Sequence, residues 1–249
     1  MLQPWRTGTI IRIEHETDAT RRFWIRVNDL ASFDFEPGQF VTLDLPIHEK
    51  PNRRWRSYSI ASWPDGTNVF ELVIVLLDGG LGTNYLFKEC GVGSELTLRG
   101  PQGVFLLPAV IDRDIYLIST GTGVAPFRAM AHHIYNHNID HQHIYLIFGC
   151  RKFSDCLYRD ELDQLQNDLP LFHYLPTFSR EEPGTYRTGY VHSVYEELCL
   201  SHAAGDGSGK PPYPAYFYLC GWKTMIDEAK QRILALGYDR KAIHQELYG

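Results

Sequence analysis

Two glycines interrupt the apolar run IYLISTGTGVAP at residues 115–126, and Pro126 follows where a dinucleotide fingerprint would place its third glycine. Gly121 and Gly123 allow backbone to approach a flat or anionic ligand, and Pro126, lacking an amide proton, suits a first helical turn. With Thr122 between the glycines, the turn is a candidate anion or ring cradle at a helix start. The same residues serve equally well as a plain strand-to-helix turn. A second candidate is RSYS, where Arg56, Ser57, Tyr58 and Ser59 put a cation, an aromatic plate and hydroxyls on one strand. Alternation sends Arg56 and Tyr58 to one side, although alone this reads as surface decoration. GGLGTNYL brings Gly82 and Thr83 to another helix start, and YLCGW places Cys220 after a strand. The chain closes on Glu246, Leu247, Tyr248 and Gly249.

The elements that must position these residues have two different periods. Up to about residue 107 the strand candidates are TGTIIRIEHE, RRFWIRV, QFVTLDL, RSYSIAS, VFELVIVLL and SELTLRG, separated by turn residues such as Pro37-Gly38 and Gly79-Gly80. Six such strands predict an antiparallel Greek-key barrel, with TNYLFKE, from Thr83, as its short helix. From Asp114 the pattern becomes short apolar strands at 115, 144, 171, 216 and 243, alternating with segments of helical spacing. Strands buried on both faces and joined by helices run parallel, which predicts a doubly wound five-stranded α/β domain. The expected division is residues 1–108 and 109–249. The ligand of the second domain belongs beyond the strand carboxyl ends, where STGTGVAP lies.

Composition narrows the partners. A formal net charge of −6 gives no global attraction to nucleic acid or anionic membrane, so an electrostatic partner needs a local patch. No stretch approaches the ~18 apolar residues of a membrane helix, and MLQPWRTGTI has no apolar core of signal-peptide length. The five cysteines form no CxxC pair and match no zinc or iron-sulfur spacing, which predicts free thiols and a cytoplasmic setting. His133 and His137 have metal-chelating spacing but no acidic or thiol neighbour in sequence, and no metal is expected. GSGK at 207–210 imitates a phosphate loop, but Ala204 replaces its first glycine and Pro211 its hydroxyl residue.

Taken in order, PGQF, RSYS, GGLGTNYL, GPQG, GTGVAP, YLCGW and the terminal ELYG resemble the ferredoxin–NADP reductase family of flavoproteins over nearly the whole chain. The resemblance implies an amino-terminal FAD barrel and a carboxyl-terminal NADP domain. It places Arg56, Gly82 and Thr83 on the FAD pyrophosphate, Ser57 and Ser59 among the FAD contacts, and Tyr58 flat on the flavin. It gives Gly121, Thr122 and Gly123 to the nicotinamide end of the pyridine nucleotide. Cys220 would approach the reacting carbon, with Ser59 and Glu246 completing a polar set for hydride transfer. Tyr248 resembles the terminal aromatic that covers the flavin in plant-type relatives, although here Gly249 follows it.

The same resemblance assigns FGCRKFSDCLYRDE and TFSREE to the adenosine ribose, so that Arg151, Arg159 and Arg180, helped by Tyr158 and Ser179, favour NADP over NAD. The third basic residue of bacterial relatives is Tyr190 here. Lys50, Arg53 and Arg54 form either a solvated loop or a basic rim that steers an acidic carrier such as ferredoxin or flavodoxin. A monomer is expected. The alternatives are an NADH-dependent flavin or cytochrome reductase, an oxygenase reductase component, or a subunit active only within a complex.

Overall fold

The computed structural model describes residues 3–182, 184–205 and 213–248. The GSGK segment and Gly249 lie outside the described residues. By packing, the chain divides into two compact units, residues 1–107 with 125–136, and residues 108–124 with 137–249.

The first unit contains strands β1 (Trp5–Thr17), β2 (Thr20–Val27), β3 (Phe40–Asp44), β4 (Trp55–Ser59), β5 (Val69–Val75) and β6 (Glu95–Gln102), with helix α1 (Leu81–Lys88) between the last two. They form one antiparallel sheet in the order β4-β3-β6-β1-β2-β5. Alternate residues of each strand enter the core, among them Phe23, Ile25 and Val27, and Leu96 and Leu98. Burying each such side chain is worth roughly 1.5–3 kcal/mol. The two sheet ends meet just past β4, where the Ala61 amide donates to the Glu71 carbonyl at 2.8 Å. This closes the barrel and removes most of the exposed edge. Helix α1 begins at Leu81, two residues before the Thr83 start expected from sequence, because Gly80 takes the extended cap conformation.

Helix α2 (Ala125–His137) follows the glycine turn in sequence but packs with the barrel residues. Arg128, 3% exposed, donates to the Ala61 carbonyl at 2.9 Å and to Glu71 Oε2 at 3.0 Å. His132 stacks on Trp63 with ring centres 4.1 Å apart.

The second unit holds β7 (Asp114–Thr120), β8 (Ile144–Cys150), β9 (Phe172–Phe178), β10 (Arg187–Thr188), β11 (Ala215–Trp222) and β12 (Ile243–Tyr248), with α3 (Arg159–Asp168), α4 (Val191–Gly205) and α5 (Lys223–Ala235). The sheet is parallel throughout, in the order β10-β9-β8-β7-β11-β12. Its sixth strand, β10, is two residues long and too short to carry a period of its own, so sequence predicts only five. Ile115, Tyr116, Leu117 and Ile118 are at most 1% exposed, as strands covered on both faces require. Val191, Val194 and Tyr195 of α4 and Ile226, Ala229 and Ile233 of α5 pack with β7, β8 and β11 in one core. Gly237, at φ +94°, follows α5 in the left-handed conformation that ends a helix. No helix among the described residues is long and apolar enough to cross a membrane.

Candidate functional site

In the first unit, β4 carries Arg56 and Tyr58 half-buried on one side. Arg56 Nη1 donates to the carbonyls of Arg53 (3.1 Å) and Trp55 (2.7 Å), which anchors one limb of its fork. The rest of the side chain lies on the start of α1: a β-carbon on Gly82 would stand 2.9 Å from Arg56 Cγ and 3.2 Å from Nε. Gly82 is therefore the residue type that lets a cation lie against first-turn amides, which have no partner inside the helix. The α1 cap, Gly80, supplies no side-chain oxygen to them. Thr83 contributes less than expected, because its hydroxyl accepts from the Leu77 amide and donates to the Gly80 carbonyl, both at 3.2 Å. Only its backbone remains for an anion.

Tyr58 packs against the barrel core, and burial, opposed by the nearby Arg56 charge, pushes its phenol up to about 12. The ring is thus a neutral plate at physiological pH. Ser59 is buried at 4% exposure. Ser57 is displaced from the expected set: it faces the other side of β4, where its hydroxyl meets Thr42 of β3 at 3.1 Å. Strand alternation separates it from Arg56 and Tyr58.

In the second unit, the chain winds outward from β7 through β8 and β9 to β10, then returns to lay β11 on the other side of β7. This reversal makes the carboxyl ends of β7 and β11 a topological switch point, and Gly121, Thr122 and Gly123 follow β7 there. Gly121 has φ +55°, and a β-carbon on Gly123 would stand 2.4 Å from the Cys220 carbonyl oxygen. Gly221 needs φ +137°, and its β-carbon would fall 2.5 Å from Thr120 Oγ1. The two glycine turns are therefore pressed together, backbone on backbone. Gly123→Ala is expected to cost about 1–3 kcal/mol, because a main-chain carbonyl cannot step aside as a side chain can. A lowered urea midpoint checks this, and an unchanged midpoint counts against the close approach.

Cys220, Glu246 and Tyr248 are brought together at the ends of β11 and β12, where Cys220 pairs in register with Glu246. The thiol is 0% exposed. Burial, then the Glu246 charge, pushes the thiol well above its ordinary range, and a hydrogen bond with Tyr248 only partly offsets this. Cys220 is a neutral thiol, suited to packing against a ring and not to nucleophilic attack. Ser59 belongs to the first unit.

At the ends of β8 and β9, the Arg180 amide donates to the Arg151 carbonyl at 2.9 Å and the Ser179 amide to the Cys150 carbonyl at 3.0 Å. These bonds set exposed Arg151 and Arg180 side by side with half-buried Ser179. Arg159 is turned elsewhere: its Nε bonds Asp160 at 2.8 Å and its guanidinium lies 4.2 Å over the Phe153 ring. Tyr158 is only 3% exposed, so it packs in the core and does not present itself to a ribose phosphate.

The chain is 34% identical over 222 residues to ferredoxin–NADP reductase B of Sorangium cellulosum strain So ce56, spanning 88% of each chain. The chain belongs to the ferredoxin–NADP reductase family. Residues 7–106 match the oxidoreductase FAD-binding domain and residues 117–231 the oxidoreductase NAD-binding domain. This reductase is accordingly an oxidoreductase that uses FAD and a pyridine dinucleotide in electron transfer. It is also 28% identical to the phenol hydroxylase P5 protein of Acinetobacter pittii strain PHEA-2, with 86% of the chain aligned but only 58% of that protein spanned. The fold is shared with a ferredoxin NADP+ reductase from Neisseria gonorrhoeae crystallised with bound FAD and NADP, at TM-score 0.79 and 22% identity, covering 98% of each chain.

Two features of the reductase go beyond what its sequence shows, one of them new and one narrowed. One is the buried ionic knot in which Glu71, 2% exposed, is held by Arg128 and by Arg22 Nε at 2.6 Å. A carboxylate inside the apolar run VFELVIVLL was its signal. The other is the basic rim, which is smaller than expected, because Arg54 Nε bonds Asp44 Oδ1 at 2.6 Å. That ion pair leaves Lys50 and Arg53 as the exposed cations of the segment.

Proposed function

We propose that this reductase passes electrons between NADPH and an acidic one-electron carrier protein of the ferredoxin or flavodoxin class. The observation that carries the choice of NADPH is the backbone pairing that places Arg151, Ser179 and Arg180 at adjacent strand ends, two forked cations and a hydroxyl of the kind that suits a phosphate. Arg56 and the α1 amides hold the FAD diphosphate, Tyr58 supplies a flat neutral face, and the 121–123 turn with Cys220 receives the nicotinamide end. Flavin, when bound, accepts two electrons together and releases them singly. The carrier is acidic because Lys50 and Arg53 offer a local positive edge on a chain of net charge −6. The five free cysteines suit a reducing, cytoplasmic setting. The likeness to the phenol hydroxylase P5 protein supports a second reading, service as the reductase of an oxygenase system.

Stopped-flow reduction of the flavin-loaded protein by NADPH and by NADH, followed by reoxidation with ferredoxin, flavodoxin or free flavin, tests the proposal. NADPH is expected to reduce it at lower concentration than NADH. Arg180→Ala is expected to raise the KM for NADPH about tenfold while leaving that for NADH nearly unchanged, the loss of one charge-assisted pair. Equal use of both nucleotides by the unmutated protein overturns the choice of NADPH, and reoxidation by free flavin alone overturns the carrier.

A further inference from the structure

Trp222 stands at the switch point, as the last residue of β11. It caps α5, and 51% of its surface is exposed, unusual for the largest apolar side chain. Its main chain pairs in register with Tyr248 of β12, its amide lies 3.4 Å from Thr120 Oγ1, and Gly221 before it folds against Thr120. Its indole Nε1 stands 4.0 Å from the point where a β-carbon on Gly121 would sit. The ring edge therefore borders the first glycine of the turn, inside the segment that matches the NAD-binding domain. As the α5 cap it offers no side-chain hydrogen bond to the first-turn amides, so capping does not explain the residue type.

The strand order decides which half of the dinucleotide such a ring would meet. Arg151 and Arg180 follow β8 and β9 on one side of β7, whereas Trp222 ends β11 on the other. A dinucleotide laid across the strand ends, with its adenosine at the arginines, brings its nicotinamide ribotide half to β7 and β11. Resting on the function proposed above, we infer that Trp222 is a binding residue whose indole packs on the nicotinamide ribotide half of the pyridine nucleotide. Because NADPH and NADH share that half, Trp222 sets affinity for both alike, whereas the arginines set the preference between them. An indole suits this work because it offers a large rigid face with only two rotatable bonds to immobilise.

The test uses the FAD-loaded protein as wild type, Trp222→Ala and Trp222→Phe, titrated calorimetrically with NADP+, NAD+ and the adenosine fragment 2′,5′-ADP. Trp222→Ala is expected to weaken both dinucleotides by roughly tenfold, in line with the stacking of one ring, and to leave 2′,5′-ADP within about twofold. Trp222→Phe should restore most of the affinity, and tryptophan fluorescence quenched by NADP+ in the wild type should be largely unquenched in that variant. An equal fall for 2′,5′-ADP, or unchanged affinity for both dinucleotides, overturns the inference while wild-type binding leaves the functional reading intact. If wild type binds neither dinucleotide, reading and inference fall together.

Discussion

Arg56→Ala is expected to purify as a folded protein that has lost its flavin. The side chain is anchored through Nη1 to two carbonyls of its own segment and lies over Gly82 at the uncapped start of α1. A diphosphate there would meet a guanidinium fork and several amides at once, and removing the fork leaves buried anionic oxygens short of donors. Truncating one partner of such a charge pair costs about 2–4 kcal/mol, a roughly thirty- to thousand-fold weaker FAD affinity. The apoprotein should unfold within about 1 kcal/mol of the wild-type apoprotein, because Arg56 lies half-buried on a strand at the sheet end and fills no core position. Arg56→Lys should fall between the two, since an ammonium keeps the charge but cannot fork. Flavin absorbance after purification and FAD titration of the apoprotein check this. Wild-type affinity in Arg56→Ala would remove Arg56 from the diphosphate site.

The second large effect concerns stability. Glu71→Leu should lower the unfolding free energy by about 3–5 kcal/mol, because it leaves the buried Arg128 guanidinium without this carboxylate and takes from Arg22 the nearer of its two, the other being Glu16 at 3.6 Å. Arg128→Met should cost less, since Glu71 keeps its bond from Arg22 at 2.6 Å. The double variant should be no worse than Glu71→Leu alone: with the carboxylate gone, Arg128 is a buried charge whose removal brings relief. The knot also lies where the barrel closes, because Arg128 and Glu71 share bonds with Ala61 just past β4. Urea unfolding of the three variants measures the ranking, and strictly additive losses would mean that Glu71 and Arg128 act independently.

Much of the fold is local in origin and was therefore readable along the chain. Alternation in RRFWIRV and SELTLRG predicted half-buried barrel strands, and IYLIS and IYLIF, apolar throughout, predicted strands covered on both faces. Gly121, Gly123 and Gly82 were readable because only a missing side chain permits the left-handed turn or close approach at each. The departures are set by side-chain partners that the periodic pattern does not specify. Arg54 loses its place in the rim to Asp44, ten residues earlier, and the Thr83 hydroxyl is taken by a turn carbonyl and amide.

What the sequence determined by itself is the kind of each element and where backbone must run without side chains, because period and steric permission depend on near neighbours. Only the tertiary structure decided that α2 packs with the barrel, that Glu71 and Arg128 find each other across 57 positions, that Tyr158 is buried, and that Trp222 stands beside Gly121. Each of these depends on how strands are ordered across a sheet, and hydrophobic pattern, being blind to strand order, carries no record of it.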